Sequence, residues 1–449
     1  MPTHQPPPRS EQPRRVDVPT GPPPSAPGEA GRPRLREVNR AQLEWRPVDL
    51  DSLLPDEHRA RIVWDYVLGL DLTPLYRGIQ AVEGHAGAPA TDPRLLLALW
   101  LQATLDGVGS ARALARLCEE HVAYQWLCGG VSVNYHTLSD FRTAHVAVLD
   151  TLLTQSVATL LAEQLVTLEC VAQDGVRVRA SAGAASFRRR PRLEQCLAEA
   201  EAQVQALRAE LDTDPGATSQ RQRAAQERAA RERRVRVAQA LAQLPAVEAT
   251  KRRQGERPET ARVSTTDPDA RVMKMADGGF RPAHNVQFAT ATIAQLIVGV
   301  DVGNSGSDAG QLAPMVTQLT TRYGQSPAAM LADAPYATHA DLQQVHDQTC
   351  VYAPVPDPRD ATRDRYVPRP DDPPAVAAWR QRMGTAPAQA LYKDRAATAE
   401  CVNAQVRHRG LVRLLVRGLE KVRAIALWHA LAHNLMRARA LRTQTLALA

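Results

Sequence analysis

Cysteine is scarce and scattered: Cys118, Cys128, Cys170, Cys196, Cys350 and Cys401 contain no Cys-x-x-Cys pair and no short spacing. That argues against a zinc ribbon and a disulfide framework, and favours reduced, buried thiols. No uninterrupted apolar run approaches the roughly 20 residues of a membrane span. The N-terminus is rich in Pro rather than apolar, so it does not read as a secretory signal. A soluble, cytoplasmic chain with no membrane partner is expected. Lysine is rare as well, since Arg greatly outnumbers it within 55 Lys+Arg against 48 Asp+Glu, a formal charge of +7. A basic balance suits a polyanionic partner. A GC-rich genome would give the same Arg, Ala and Pro bias without selection for DNA binding, so total charge carries little weight.

What is present is enough chain, 449 residues, for two or three domains with a real core. Residues 1–42 are dominated by Pro, Arg and small polar residues and read as a disordered tail. Residues 43–167 read as helical. Pro55 with Asp56 and Glu57 fits a helix start, and Asp92-Pro93 opens an apolar helix over Leu95–Leu105. Ser110 is placed to cap the next helix, and Thr137 or Ser139 to open a long one through His145 to Val157. Short connectors allow a helix-turn-helix as well as a plain bundle.

Cys170–Ala180 alternates beyond an Asp-Gly and reads as a strand bearing Asp174. The pattern then breaks at Phe187-Arg188-Arg189-Arg190. Apolar residues from Leu193 to Leu211, a Pro215-Gly216 turn and a second helix over about Ser219–Leu244 form a helical hairpin dense in Arg. It is either a solvated charged arm or a basic surface for DNA backbone or a second protomer. A polar linker from about Glu248 to Asp267 follows. Strands are expected at His284–Thr292 and Gln295–Val302, antiparallel to the Asp174 strand. A helix opening at Asp308 precedes the apolar run Ala328–Tyr336, which carries Asp333 near its end. A helix near Ala340–Gln348, a strand over Cys350–Val355 and a Pro-rich loop to Pro374 complete this α/β alternation. From Leu419 an amphipathic helix runs to Leu441. Its His429 and His433 have the i, i+4 spacing of zinc ligands but lack an adjacent Glu and a third ligand, so they read as ordinary histidines.

One helical stretch stands out. Ala396–Arg407 contains no Gly or Pro, and Asn403 and Arg407 lie three and seven residues after Glu400, on its face. Tyr392 and Arg395 flank the approach. Alone, such a face is usually solvated. Beside Asp174 and Asp333 it gains chemistry, because two strand-borne Asp and a helix-borne Glu could hold divalent metal for phosphoryl transfer. Asp301 is the rival acid, and Asp308 suits a helix cap better than a metal.

The order Asp-Gly-x-x-Val-x-Ala, then Ala-Asp-Ala-x-Tyr, then Tyr-Lys-x-Arg-x-x-x-x-Glu with Arg407 seven residues on, resembles the DDE transposases of bacterial insertion sequences. The likeness spans about Leu50 to Arg442. It departs from one common form of the signature in two ways: the Arg395–Glu400 interval is one residue longer, and Arg407 stands for Lys. The resemblance implies an α/β fold with an RNase H-like mixed-sheet core at 168–186 and 262–410, a helical DNA-binding domain at 43–167, the hairpin and linker inserted at 187–261, and a C-terminal helix at 411–449. It implies that Asp174, Asp333 and Glu400 hold two Mg²⁺ (or Mn²⁺) ions for DNA cleavage and strand transfer. Tyr392, Arg395 and Arg407 would contact DNA, as would Arg188, Arg189 and Arg190, with Arg112, Arg116, Arg142 and the Asn134–Thr137 turn as further candidates. The partners would be terminal inverted repeats and target DNA, met by at least a dimer. The alternative is a catalytically inactive, transposase-derived DNA-binding protein.

Overall fold

The computed structural model describes residues 49–449 except 83, 85–87, 214–219, 359, 361 and 449. The expected tail over 1–42 and the Pro215-Gly216 turn lie outside the described residues. Capping side chains set the N-terminal helices. His58, not Pro55, precedes α1 (Arg59–Leu68), its ring accepting from Ala60 N at 3.1 Å, and the single turn α2 (Thr73–Tyr76) follows. Asp92 caps α3 (Pro93–Leu105), in which every residue but Arg94 is buried. A helix apolar all round must be enclosed on every side, and α3 is the hub of this region. Ser110 caps α4 (Ala111–Glu120), and α5 (Val122–Cys128) ends at left-handed Gly129.

The expected single helix from Thr137 or Ser139 to Val157 is two. Asn134 already caps α6 (Tyr135–Ala144), with its side chain 2.8 Å from His136 N. His145 then leaves helical geometry, and the chain bends by 65° into α7 (Val146–Ala162). Among the described residues no single helix is long and apolar enough to cross a membrane.

The central strand is β1 (Cys170–Arg179). Beyond it, β2 (Phe187–Arg188) pairs with β3 (Val263–Ser264), and between them project α8 (Arg190–Thr213) and α9 (Gln220–Arg253). The hairpin closes on Leu193, Ala240, Leu244, Ala261 and Val263. The second helix continues to Arg253 despite Pro245, so the first residues of the expected linker are helical. Many hairpin arginines are paired within it, among them Arg192 with Glu199, Arg231 with Glu227 and Arg236 with Glu232.

The chain returns through β4 (Arg271–Lys274), β5 (Phe280–Ala291) and β6 (Leu296–Gly303). Next come α10 (Leu312–Tyr323), β7 (Ala329–Leu331), α11 (His339–Val345) and β8 (Cys350–Tyr352). The strand order is β6-β5-β1-β7-β8, with β4 sharing the β6 edge of β5. β5 is antiparallel to β1 and β6, whereas β7 and β8 run parallel to β1. This is a mixed α/β fold with a curled mixed sheet and a helical N-terminal region, consistent with an RNase H-like core.

Asp308 does not open α10. The helix starts four residues later, at Leu312, and Asp341 accepts from Gly310 N (3.0 Å) and Ala313 N (3.2 Å) at its N-terminus. After α12 (Pro374–Met383), helices α13 (Ala386–Arg395) and α14 (Cys401–His408) are joined by a π-helical turn over Ala396–Glu400. The last helix, α15 (Leu419–Leu448), is longer than expected. Its Asn434 donates to Ile297 O at 2.7 Å and accepts from Ile297 N at 2.8 Å, satisfying the open edge of β6. On its other side Trp428 meets Trp100, and its Nε1 donates to Arg142 O at 2.9 Å. One apolar core therefore runs from Leu54 to Leu435.

Candidate active site

Strand adjacency places the two aspartates. Asp174 lies in the middle of β1, and Asp333 follows two residues after β7, the parallel neighbour of β1. Both therefore emerge on one side of the sheet, at the ends where the parallel strands stop. The third acid arrives from the helical layer, where the turn Ala396–Glu400 packs near Ala172 and Leu331 through Ala399.

The three carboxylates converge on one cation. Arg395 Nη2 lies 2.7 Å from Asp333 Oδ2 and 3.5 Å from Asp174 Oδ1, and Nη1 lies 3.2 Å from Glu400 Oε1. Exposure is graded, from 19% for the Asp174 side chain through 45% for Asp333 to 62% for Glu400, over a guanidinium only 8% exposed. Asp174 forms the floor of the site and Glu400 its open rim. Burial pushes the Asp174 carboxyl above the usual carboxylate range; Arg395 opposes this and Asp333 reinforces it. Burial also disfavours the Arg395 charge, but Asp174 and Asp333 more than reverse that and hold its pKa up.

Asn403, on α14 one turn beyond Glu400, donates Nδ2 to Asp174 Oδ2 at 2.8 Å, while Asp174 Oδ1 accepts from Gly175 N at 2.9 Å. These bonds fix the carboxylate plane. Tyr392 sets its hydroxyl 3.4 Å from Asp333 Oδ1, and burial raises its pKa. Arg407 is exposed on the same helical stripe and has no side-chain partner among the described residues.

A polar layer lies behind Asp174, and sequence reasoning missed it. Asp308 accepts from Asn285 Nδ2 (2.7 Å) and Gln287 Nε2 (2.9 Å), and Tyr336 donates to Gln287 Oε1 at 2.5 Å. Gly175 leaves room for this layer, since a Cβ there would stand within 2.8 Å of Gln287, Asp308 and Asn285. A signal was available in His-Asn-Val-Gln-Phe, whose Asn285 and Gln287 recur on one face of the buried strand β5.

Other candidates fall elsewhere. Asp301 sits on β6, two strands from β1, and faces Arg423 at 3.8 Å, so the rival acid is outside the cluster. Arg142, expected at DNA, is buried: it donates to Gly109 O and lies over the Trp100 ring, 5.1 Å from its centroid. Arg190 pairs with Glu248 at 2.9 Å, whereas Arg189 is exposed and Arg188 half-buried. Arg112 and Arg116 are exposed. His429 and His433 are core residues, the latter bound to Gln295 O at 2.7 Å.

The donor set suits a hard divalent cation, being all carboxylate oxygen. Among the described residues no three Asp, Glu, His or Cys side chains are close enough together to hold an ion as they stand. The acids are spaced around a guanidinium instead.

The α/β core thus brings acids from two neighbouring strands and a flanking helical turn to one place. Two family models match this chain: Transposase domain (DUF772) over residues 48–144 and Transposase DDE domain over residues 359–439. The second covers Tyr392, Arg395, Glu400 and Arg407; Asp174 and Asp333 lie outside it. No curated protein and no solved structure matches the chain. Both matches support a DDE transposase of the insertion-sequence type.

Proposed function

We propose that this transposase cleaves DNA at the ends of its element and joins the freed 3′-hydroxyl to target DNA, using divalent metal held by Asp174, Asp333 and Glu400. The supporting observation is the meeting of all three carboxylates at Arg395 within 3.5 Å. Two divalent ions held there would supply the Lewis acidity that activates the attacking oxygen and stabilises the leaving one. Asp174, the most buried acid and the one oriented by Asn403, would anchor the metal at the floor of the site. Asp333 and Glu400, more exposed, would each complete the shell of one ion. Arg407 on the open rim would hold a DNA phosphate, and Tyr392 would contact the strand beside it. Exposed Arg112, Arg116 and Arg189 would track DNA backbone, and synapsis of two ends calls for at least a dimer.

The test is strand cleavage of a labelled duplex carrying the element's terminal repeat, with Mg²⁺, by the full chain and by Asp174→Ala. Cleavage by the former and not the latter is expected, with binding kept by both. Equal cleavage by the two proteins would sink the assignment. Binding without cleavage by either would leave the alternative, a transposase-derived DNA-binding protein.

A further inference from the structure

A guanidinium held at 2.7 to 3.5 Å by three carboxylates on three separate elements is not a surface ion pair. Arg395 is almost fully enclosed, and its Nε lies buried without a partner, so the side chain is ordered by charge rather than by a full set of hydrogen bonds. Local backbone makes the arrangement possible. In an α-helix, residues five apart are rotated by roughly 140° from each other. The π-helical turn over Ala396–Glu400 replaces i→i+4 by i→i+5 pairing, which returns residue 400 to the face of residue 395. The extra residue between Arg395 and Glu400 is thus what lets one guanidinium reach the helical acid and both strand acids.

Mg²⁺ and Mn²⁺ bind carboxylate oxygens at roughly 2.0–2.2 Å. An ion so bound to Asp174 and Asp333 would overlap the volume that Arg395 Nη2 fills, and its charge would repel the guanidinium. We propose that Arg395 is a tethered competitor for the metal: it neutralises the triad and must leave it for divalent ions to bind. This rests on the metal-dependent reading above. Tyr392 and Arg407 lie on the same helical layer, so an Arg395 released from the triad stays beside the groups proposed to contact DNA and is itself free to pair with a phosphate.

The measurement is Mn²⁺ affinity by calorimetry on the full chain without DNA, comparing wild type with Arg395→Ala, Arg395→Lys and Asp174→Ala. Arg395→Ala should bind Mn²⁺ at least tenfold more tightly. Arg395→Lys, a point charge lacking the fork, should fall between and carries the test if the alanine variant does not fold. Asp174→Ala should bind at least tenfold more weakly. If Asp174→Ala loses Mn²⁺ while the Arg395 variants bind it no more tightly than wild type, Arg395 is structural and the inference fails alone. If no variant, wild type included, binds Mn²⁺, the inference and the metal-dependent reading fall together.

Discussion

Alanine at position 175 tests whether the polar layer supports the aspartate in front of it. The new Cβ would stand 2.6 Å from Gln287 Nε2, 2.7 Å from Asp308 Oδ1 and 2.8 Å from Asn285 Oδ1. None of these is a loose end, because the two amides are buried and both donate to Asp308. Overpacking costs about 1–3 kcal/mol. Pushing one amide off the carboxylate adds about 1.5–3 kcal/mol. Alanine returns about 0.4–1 kcal/mol by restricting the unfolded chain. Gly175→Ala should therefore destabilise by about 2–5 kcal/mol, read as a lower midpoint in urea at unchanged slope. If the strain is centred on Asp308, the double variant Gly175→Ala/Asp308→Ala will lose less than the sum of its parts. An unmoved midpoint for Gly175→Ala, or a strictly additive double variant, refutes the close approach.

Acid should weaken the protein through α15. Burial lowers the pKa of His429 to about 3 and of His433 to about 4, with Arg409 adding to both. The unfolded chain takes up these protons near pH 6.5, so stability falls below that value, by up to about 1.4 kcal/mol per pH unit for each histidine. Between pH 6.5 and 5 the pair should cost about 3 kcal/mol, and His429→Gln/His433→Gln should flatten the slope; equal slopes in urea titrations would contradict the burial. Arg142 and Arg407 should part company in DNA binding. Arg407→Ala should reduce the salt slope of log Kd by about one, whereas Arg142→Met should leave it unchanged and lower thermal stability instead, and a smaller slope for Arg142→Met would return that residue to the interface.

The contrast between those two arginines shows what the linear chain reveals. Spacing along a helix says which residues share a stripe, and it put Asn403 and Arg407 with Glu400. It does not say what covers the stripe. Arg142 is on a helix of mixed composition, and only the arrival of Trp100 and Trp428 from distant helices encloses it. Asp301 and Asp174 illustrate the same point for strands. Each is a strand acid by pattern, yet register sets Asp301 opposite Gln287 on the far side of β5, and β7 joins β1 on the other edge. Strand existence was legible from alternation and apolar runs; strand order was not, because pairing is decided by packing across the whole sheet.

The helical acid makes the harder case. An α-helical reading of Tyr392–Arg407 aligns Glu400 with Asn403 and Arg407 but turns Arg395 away by more than a third of a turn. The interval that looked like a departure from the common signature is the one the π turn absorbs. Such a turn is rare, and no residue in Ala396-Ala397-Thr398-Ala399-Glu400 favours it over an α-helix. What holds it must then be tertiary. Ala399 seats against Ala172 and Leu331, and Arg395 is drawn to three acids at once. The electrostatics of the site and the backbone of its helix stabilise each other: without the carboxylates the turn has no local reason to persist, and without the turn the carboxylates have no shared cation.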